Sequence, residues 1–333
     1  MKAAAAPSEF SIDDIFKLVQ PELADVEVGL RDRVRSAVPV VEEINRYIHD
    51  SGGKRMRPTL SLLTSKMCGY NGPAVIHIGV ILELIHVATL VHDDIIDNSK
   101  MRRGRPAVHT QWGNTCTVLM GDWLYMTCFY LALDLQEMRY LEILINITRK
   151  LVEGELMQLD HNGNLDITRD EQLAICMRKT AYLFAGCCKL SAIVADKGPE
   201  AELNLWNFGQ YLGMAFQLID DLLDYTSTQA QMGKPNLKDL EEGKVTLPVI
   251  YLLQRARRED AEEVRQVVRN ADYTNANKRR IIELAEEYNT LRDVRREATE
   301  YADKARKCLM TFPDSPYRQA LLNLTQFVLD RKK

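Results

Sequence analysis

Proline and glycine are scarce in this chain, 11 and 17 among 333 residues, and they gather at a few places instead of punctuating its whole length. That excludes a collagen-like or low-complexity chain and leaves long uninterrupted stretches for regular structure. Histidine is rarer still, at 6, and the 7 cysteines contain no Cys-x-x-Cys pair. An odd count with one vicinal pair, Cys187–Cys188, supports neither a zinc site nor a disulfide framework, and it suits a reducing cytoplasm. An excess of positive charge is also missing. The 43 Lys and Arg against 47 Asp and Glu give a net charge of −4, which argues against a surface devoted to nucleic acid and confines any basic site to a local patch. The first residues, MKAAAAPSEF, have no apolar core of signal-peptide length and read as a loose tail over 1–10. The nearest approach to a membrane span, residues 112–133, carries Asp122 at its middle and reads as an internal helix, so no transmembrane segment is expected.

What is present is helical periodicity. Apolar residues recur at three and four between breaks at 50–58, 68–73, 98–106, 161–171, 196–200 and 231–244, and no convincing alternating strand lies among them. The spacing predicts roughly ten or more helices, several longer than 20 residues, with no linker and no repeat. Thr168 and Glu171 form a capping-box pattern that starts a helix near 169, and Pro39 suits the first turn of another. The highly charged stretch from Arg255 to Arg296 reads as solvated helix faces. The chemistry is therefore sought before about residue 250.

Two places break the apolar pattern with carboxylates. In HDDIID, Asp93 and Asp97 stand four apart on one helical face and Asp94 flanks them. In FQLIDDLLD, Asp220, Asp221 and Asp224 repeat that spacing, with Gln217 one turn earlier. Burying unpaired charge is costly, so carboxylates placed like this need a counter-charge. A divalent cation supplies one, and hard oxygen donors without a histidine set favour magnesium over zinc or copper. His92 beside Asp93 is the pattern of metal-dependent phosphohydrolases, but that chemistry needs further histidines in register, and only His49, His77, His86, His109 and His161 remain.

Cations accompany the acids at the breaks. GGKRMRP brings Lys54, Arg55 and Arg57, and MRRGRP brings Arg102, Arg103 and Arg105 directly after the first acidic cluster. Arginine grips phosphate oxygens bidentately and lysine acts as a point charge, so the combination points to a ligand with phosphate groups. Lys179 and Thr180 interrupt an apolar stretch, and Lys234 and Lys244 flank a polar segment suited to a lid. His86 lies about two turns before Asp93, on a similar face.

Taken in order, GGKRMRP, DDIID, MRRGRP, Lys179-Thr180, FQLIDDLLD and the lysines of GKP and EGK resemble the trans-isoprenyl diphosphate synthases over about residues 45–250. The resemblance implies an all-α fold, a large single-domain helical bundle over residues 11–333 around a deep central cavity. It also implies a homodimer that condenses an allylic diphosphate with isopentenyl diphosphate. It casts Asp93, Asp97 and Asp220 as principal ligands of a Mg2+ cluster, with Asp94, Asp221 and Asp224 supporting. Arg102, Lys179, Thr180, Gln217 and Lys234 would hold the allylic diphosphate. Lys54, Arg57, His86 and Arg103 would hold isopentenyl diphosphate, and Lys244 would help close the site. Metal and cations would stabilise the leaving diphosphate, and the acids would sit at the mouth of an apolar, water-excluding space.

The tail of the product would grow along the helix that carries DDIID. Ala88 and Thr89, five and four residues before Asp93, are small where shorter-chain members carry an aromatic or an insertion, which favours a long-chain polyprenyl product. Phe129 is a candidate floor. A geranylgeranyl or farnesyl product remains open, as do a terpene cyclase and a non-catalytic helical subunit. The cyclase would usually lack the GGKR run and a second motif of this form, and the subunit could lose charged positions that are all present here.

Overall fold

The computed structural model describes residues 11–226 and 237–331. They form sixteen α-helices. In chain order these are α1 (Ile12–Lys17), α2 (Gln20–Asp32), α3 (Pro39–Asp50), α4 (Met56–Met67), α5 (Ala74–Ile96), α6 (Val108–Asp134), α7 (Met138–Asp160), α8 (Arg169–Cys176) and α9 (Tyr182–Val194). There follow α10 (Gly198–Thr226), α11 (Lys238–Glu241), α12 (Leu247–Arg255), α13 (Arg258–Arg269), α14 (Asn275–Glu287), α15 (Thr290–Leu309) and α16 (Pro316–Asp330). A π-helical turn, Met177–Ala181, joins α8 to α9. The fold is all-α, as expected. The one addition is a pair of two-residue strands, β1 (Met101–Arg102) and β2 (Arg105–Pro106), inside a segment read only as a break. Pro39 does open α3, and Thr168 and Glu171 form the expected reciprocal capping box of α8.

The described residues divide into two compact units. The first comprises residues up to 148, 186–206 and 312–323. Its centre is α5, which is buried on every side, with Ile78 to Ile85 as a continuous run of buried positions. A helix apolar all round has no solvent face to offer, and α2, α4 and α6 pack against it. Composition alone would let two helices span a membrane, Ala74–Ile96 and Val108–Asp134; 67% of the apolar window is buried inside the fold in the former and 44% in the latter. The sequence reading noticed only the second. On another side, α4 turns Ser61, Thr64 and Ser65 inward, and Ser191 donates to the Ser61 carbonyl at 2.9 Å, so the buried hydroxyls have partners.

The second unit comprises 149–185, 207–311 and 324–333. Here α12 is the buried strut against α8, α14 and α15. The charged stretch after residue 255 lies on α13 to α15 as largely solvated faces stitched by ion pairs; Asp260, for example, accepts from Arg257, Arg280 and Tyr288.

Candidate active site

In the first unit the acidic cluster occupies the C-terminal end of α5. The Asp97 N–H donates to the Asp93 carbonyl at 2.8 Å, and Asn98 turns left-handed at φ +50° to stop the helix. Carboxylates at this end oppose the helix dipole, a local cost of about 0.3–1 kcal/mol each. Asp94 is buried, and its Oδ1 accepts from Arg102 Nε at 2.8 Å and Nη2 at 2.5 Å. Asp93 and Asp97 are half-buried.

Arg102 is delivered by the small hairpin. Its two-residue loop, Arg103–Gly104, has φ of +51° and +76°, the pattern of a type I′ turn. Arg105 on the returning strand lies over the Tyr47 ring at 4.2 Å and is occupied structurally. The GGKRMRP run also divides. Arg55 turns inward to Glu27 and the buried Glu83, at 2.5 and 3.0 Å, whereas Lys54 stays exposed. A Cβ at Gly53 would come within 2.9 Å of guanidinium nitrogens of both Arg55 and Arg103, so both side-chain tips lie close over the backbone there.

His86 sits among these cations. Burial, and then the positive charges of Arg57, Arg103, Arg102 and Arg55, hold its imidazole well below its ordinary pKa. The structure thus brings His86, Arg57, Arg102 and Arg103 into one electrostatic neighbourhood. His92 points elsewhere: its Nε2 donates to the Val118 carbonyl at 3.0 Å and its ring lies on Gly121, where a Cβ would be 2.2 Å away. It anchors α5 to α6. Ala88 is fully buried, Thr89 donates to the His86 carbonyl at 2.7 Å, and Phe129 is half-buried on α6.

The second unit carries the other cluster. Gly209, Gly213, Gln217 and Asp221 lie at successive i+4 positions of α10. A Cβ at Gly213 would fall 2.6 Å from Ala181 Cα and one at Gly209 2.4 Å from the Phe184 carbonyl, so the two glycines bring α10 backbone to backbone against the π turn and α9. One turn on, Thr180 donates to Gln217 Oε1 at 2.6 Å, and Gln217 Nε2 donates to Asp221 Oδ1 at 2.8 Å. Lys179, in the π turn, pairs with Glu155 at 2.6 Å. Single-turn π segments of this kind are frequent at functional sites.

Asp224 accepts from the backbone N–H groups of Lys238 and Asp239 at 2.9 and 3.0 Å, fixing the start of α11. That brings in Asp239, which the sequence reading missed. Burial, with Asp224 and Asp220 adding negative charge against Lys244, pushes its carboxyl up to about 7. Burial also raises Asp221 well above the ordinary range, helped by Asp239, Asp220 and Asp224, and its Oδ2 has no hydrogen-bond partner among the described residues. Asp220 is half exposed, with Arg331 Nη2 at 3.3 Å. Lys244 donates to Glu242 at 2.7 Å, and Lys234 lies outside the described residues.

Among the described residues no three His, Cys, Asp or Glu side chains converge as a ready-made metal cluster. The donor chemistry nevertheless fits a hard divalent cation. Mutually raised carboxylates and an orphaned buried oxygen at Asp221 are an arrangement that added positive charge would relieve.

The model of the polyprenyl synthetase family matches residues 38–285. The chain belongs to this family. It is 35% identical over 323 residues to the octaprenyl diphosphate synthase of Escherichia coli, covering 97% of this chain and 100% of that protein. It is 37% identical over 319 residues to an all-trans-nonaprenyl-diphosphate synthase (geranyl-diphosphate specific) of Rhodobacter capsulatus, covering 96% and 97%. A polyprenyl synthase of Caulobacter crescentus, solved with calcium and isoprenyl diphosphate, superposes with a TM-score of 0.92 at 34% identity, covering 98% of this chain and 100% of the other. The resemblance stated from motifs is therefore borne out at family level, and this polyprenyl synthetase is a prenyltransferase.

Proposed function

We propose that this prenyltransferase condenses an allylic diphosphate with isopentenyl diphosphate, head to tail, to a long-chain all-trans polyprenyl diphosphate. The observation that carries the reading is the C-terminal half of α5: two half-buried carboxylates, Asp93 and Asp97, follow by two turns a histidine whose pKa burial and then four nearby arginines hold well below its ordinary value. Acids for a metal and cations for phosphate within two turns of one helix suit a metal-bound diphosphate.

Asp93, Asp97 and Asp220 are the proposed ligands of Mg2+, with Asp94, Asp221 and Asp224 supporting. Asp239 joins that supporting set. The cation, when bound, supplies positive charge to the departing diphosphate oxygens. Arg102, Lys179, Thr180, Gln217 and Lys234 orient the allylic diphosphate. Lys54, Arg57, His86 and Arg103 hold isopentenyl diphosphate with its double bond towards the allylic carbon, and Lys244 helps close the site. Ionisation leaves an allylic cation, the double bond attacks it, and the proton lost from the new chain passes to the departing diphosphate, since no side chain is required as base. Apolar walls starting at Ala88 and Thr89 keep water from the cation and leave room for a long tail, with Phe129 as the proposed floor.

The reading treats residues 11–333 as one functional domain, places the protein in the cytoplasm, where its seven free thiols would persist, and makes it a homodimer. Incubation with magnesium, isopentenyl diphosphate and each allylic starter, followed by product chain-length analysis, tests it. Elongation to about eight or more isoprene units is the expected outcome, by analogy with the octaprenyl and nonaprenyl diphosphate synthases to which the chain is similar. No elongation with any starter overturns the reaction, and arrest at farnesyl overturns the open-tail argument.

A further inference from the structure

In the second unit a cation reaches the acidic face of α10 from a distant part of the chain. Arg331 follows the last turn of α16. Its guanidinium lies over the Phe216 ring at 4.2 Å, and its Nη2 stands 3.3 Å from Asp220 Oδ1. Phe216 and Asp220 are four residues apart, so the side chain covers one turn of a single face. It is 10% exposed, against 50% for the carboxylate it meets. Its approach is fixed from behind by α15. Arg306 donates to Thr325 Oγ1 and Gln326 Oε1 at 2.7 Å, and Arg295 donates to the Leu329 carbonyl at 3.1 Å. The dipole at the end of α16 favours a cation there, but it gives no reason for that cation to point at α10. The carboxylate cluster does. Asp221 accepts from Gln217, Asp224 from two backbone N–H groups, and Asp220 from this guanidinium. Arg331 lies outside residues 38–285, the span of the family model.

We propose that Arg331 is a positioning residue for Asp220 that keeps the place of the metal: it counters the charge of this carboxylate in the metal-free protein and yields it to magnesium. The proposal deepens the reading given above and rests on Asp220 as a ligand. A guanidinium and a divalent cation compete for one carboxylate, and their like charges repel. Against this stands the order that Arg331 gives to a half-exposed side chain. One long hydrogen bond fixes little, so repulsion prevails and Arg331 lowers the affinity for metal. The exchange has a consequence for α16. Once Asp220 is yielded, the end of that helix loses one tie to α10, so loading of the second acidic motif is felt there.

Calorimetric titration of the full-length protein with magnesium chloride, without diphosphate, tests the exchange independently of turnover. Arg331→Gln is expected to bind magnesium about threefold tighter or more than the unaltered chain, and Arg331→Lys, which keeps the charge, within about twofold of it. In an Asp220→Asn background Arg331→Gln should change the affinity no further, because the contested carboxylate is gone. Hydrogen exchange of the unaltered protein gives a readout that needs no variant: magnesium should speed exchange in the last turn of α16 and leave α13 as it was. Equal or weaker magnesium binding by Arg331→Gln, the same gain in Arg331→Lys or in the Asp220→Asn background, or exchange at the end of α16 that magnesium leaves unaltered or slows would each overturn the proposal. The elongation assay decides the underlying reading separately. A protein that elongates but whose magnesium affinity ignores Arg331 refutes the exchange and keeps the reading; one that shows the exchange without elongating does the reverse.

Discussion

Removing the Arg102 guanidinium would strand the Asp94 carboxylate, which is 3% exposed and accepts two hydrogen bonds from that arginine, so this residue holds structure as well as ligand. Breaking a fully buried pair costs about 3–5 kcal/mol. Arg102 is 37% exposed, which lowers the figure to about 2 kcal/mol. Arg102→Ala should therefore lower the urea midpoint clearly, while Lys54→Ala, at an exposed position, should shift stability by no more than about 0.5 kcal/mol. Equal shifts would mean that the pair does not anchor the hairpin. His86 gives a pH signature. Its imidazole is held below the ordinary value, so between that value and its folded pKa the unfolded chain binds a proton that the folded chain refuses. Stability is thus lost as pH falls below about 6.5, by at most about 1.4 kcal/mol per unit and less because the ring is only half-buried. His86→Gln should flatten that part of the stability profile, and parallel profiles from pH 6.5 to 5 would refute the shift. The acidic motifs were legible because carboxylates at i+4 stand out in an apolar helix. Asp239 was not, since one acid in the polar run KDLEEGK carries no periodic signal, and its burial depends on Asp224 reaching across to the start of α11. Nor could the sequence separate Arg55 from Arg57, because the carboxylates that claim Arg55 lie 28 residues away on either side.

At the scale of elements, the stripe Gly209, Gly213, Gln217, Asp221 explains how the second motif is aimed. Two glycines set the separation of α10 from the π turn, and the next two turns of the same face deliver the amide and the carboxylate. Gly213→Ala forces a methyl against the Ala181 backbone. Overpacking of this kind costs about 1–3 kcal/mol and displaces the Thr180–Gln217 bond. Both thermal stability and kcat should fall, whereas Gly163→Ala, with φ +73° but open space around it, should cost stability alone. If Gly213→Ala kept full kcat, the glycine stripe would have no part in positioning Gln217. Helix existence was legible throughout because scarce proline and glycine mark the ends. The hairpin at 101–106 was not, because two residues per strand give no alternation to read. The membrane-like composition of α5 is explained by burial on all its faces, a property of its neighbours that its own residues do not reveal.

For the whole molecule, one exposed apolar surface among the described residues is on α6. Leu119, Met126, Tyr130 and Leu133 are 62, 61, 66 and 53% exposed and follow one another at seven, four and three residues, so they form one apolar stripe. Met138 and Ile145, at the start of α7, are exposed as well. A monomer rarely leaves such a contiguous patch to water, and the proposed homodimer commits the stripe to the same face of a second copy. A two-fold interface is self-complementary, so one substitution appears twice within it. Leu119→Asp with Met126→Lys would place four charges in the contact, two from each copy, and desolvating them should weaken association at least a hundredfold. Light scattering should then give twice the 38.1 kDa chain mass for the unaltered protein and the chain mass itself for the double variant. Helical content should be unchanged, because both side chains already face outward in the single chain. A dimer that survives both charges would move the interface off α6, and an unaltered protein that runs at the chain mass would remove the homodimer from the proposed function while leaving the chemistry of α5 and α10 as argued.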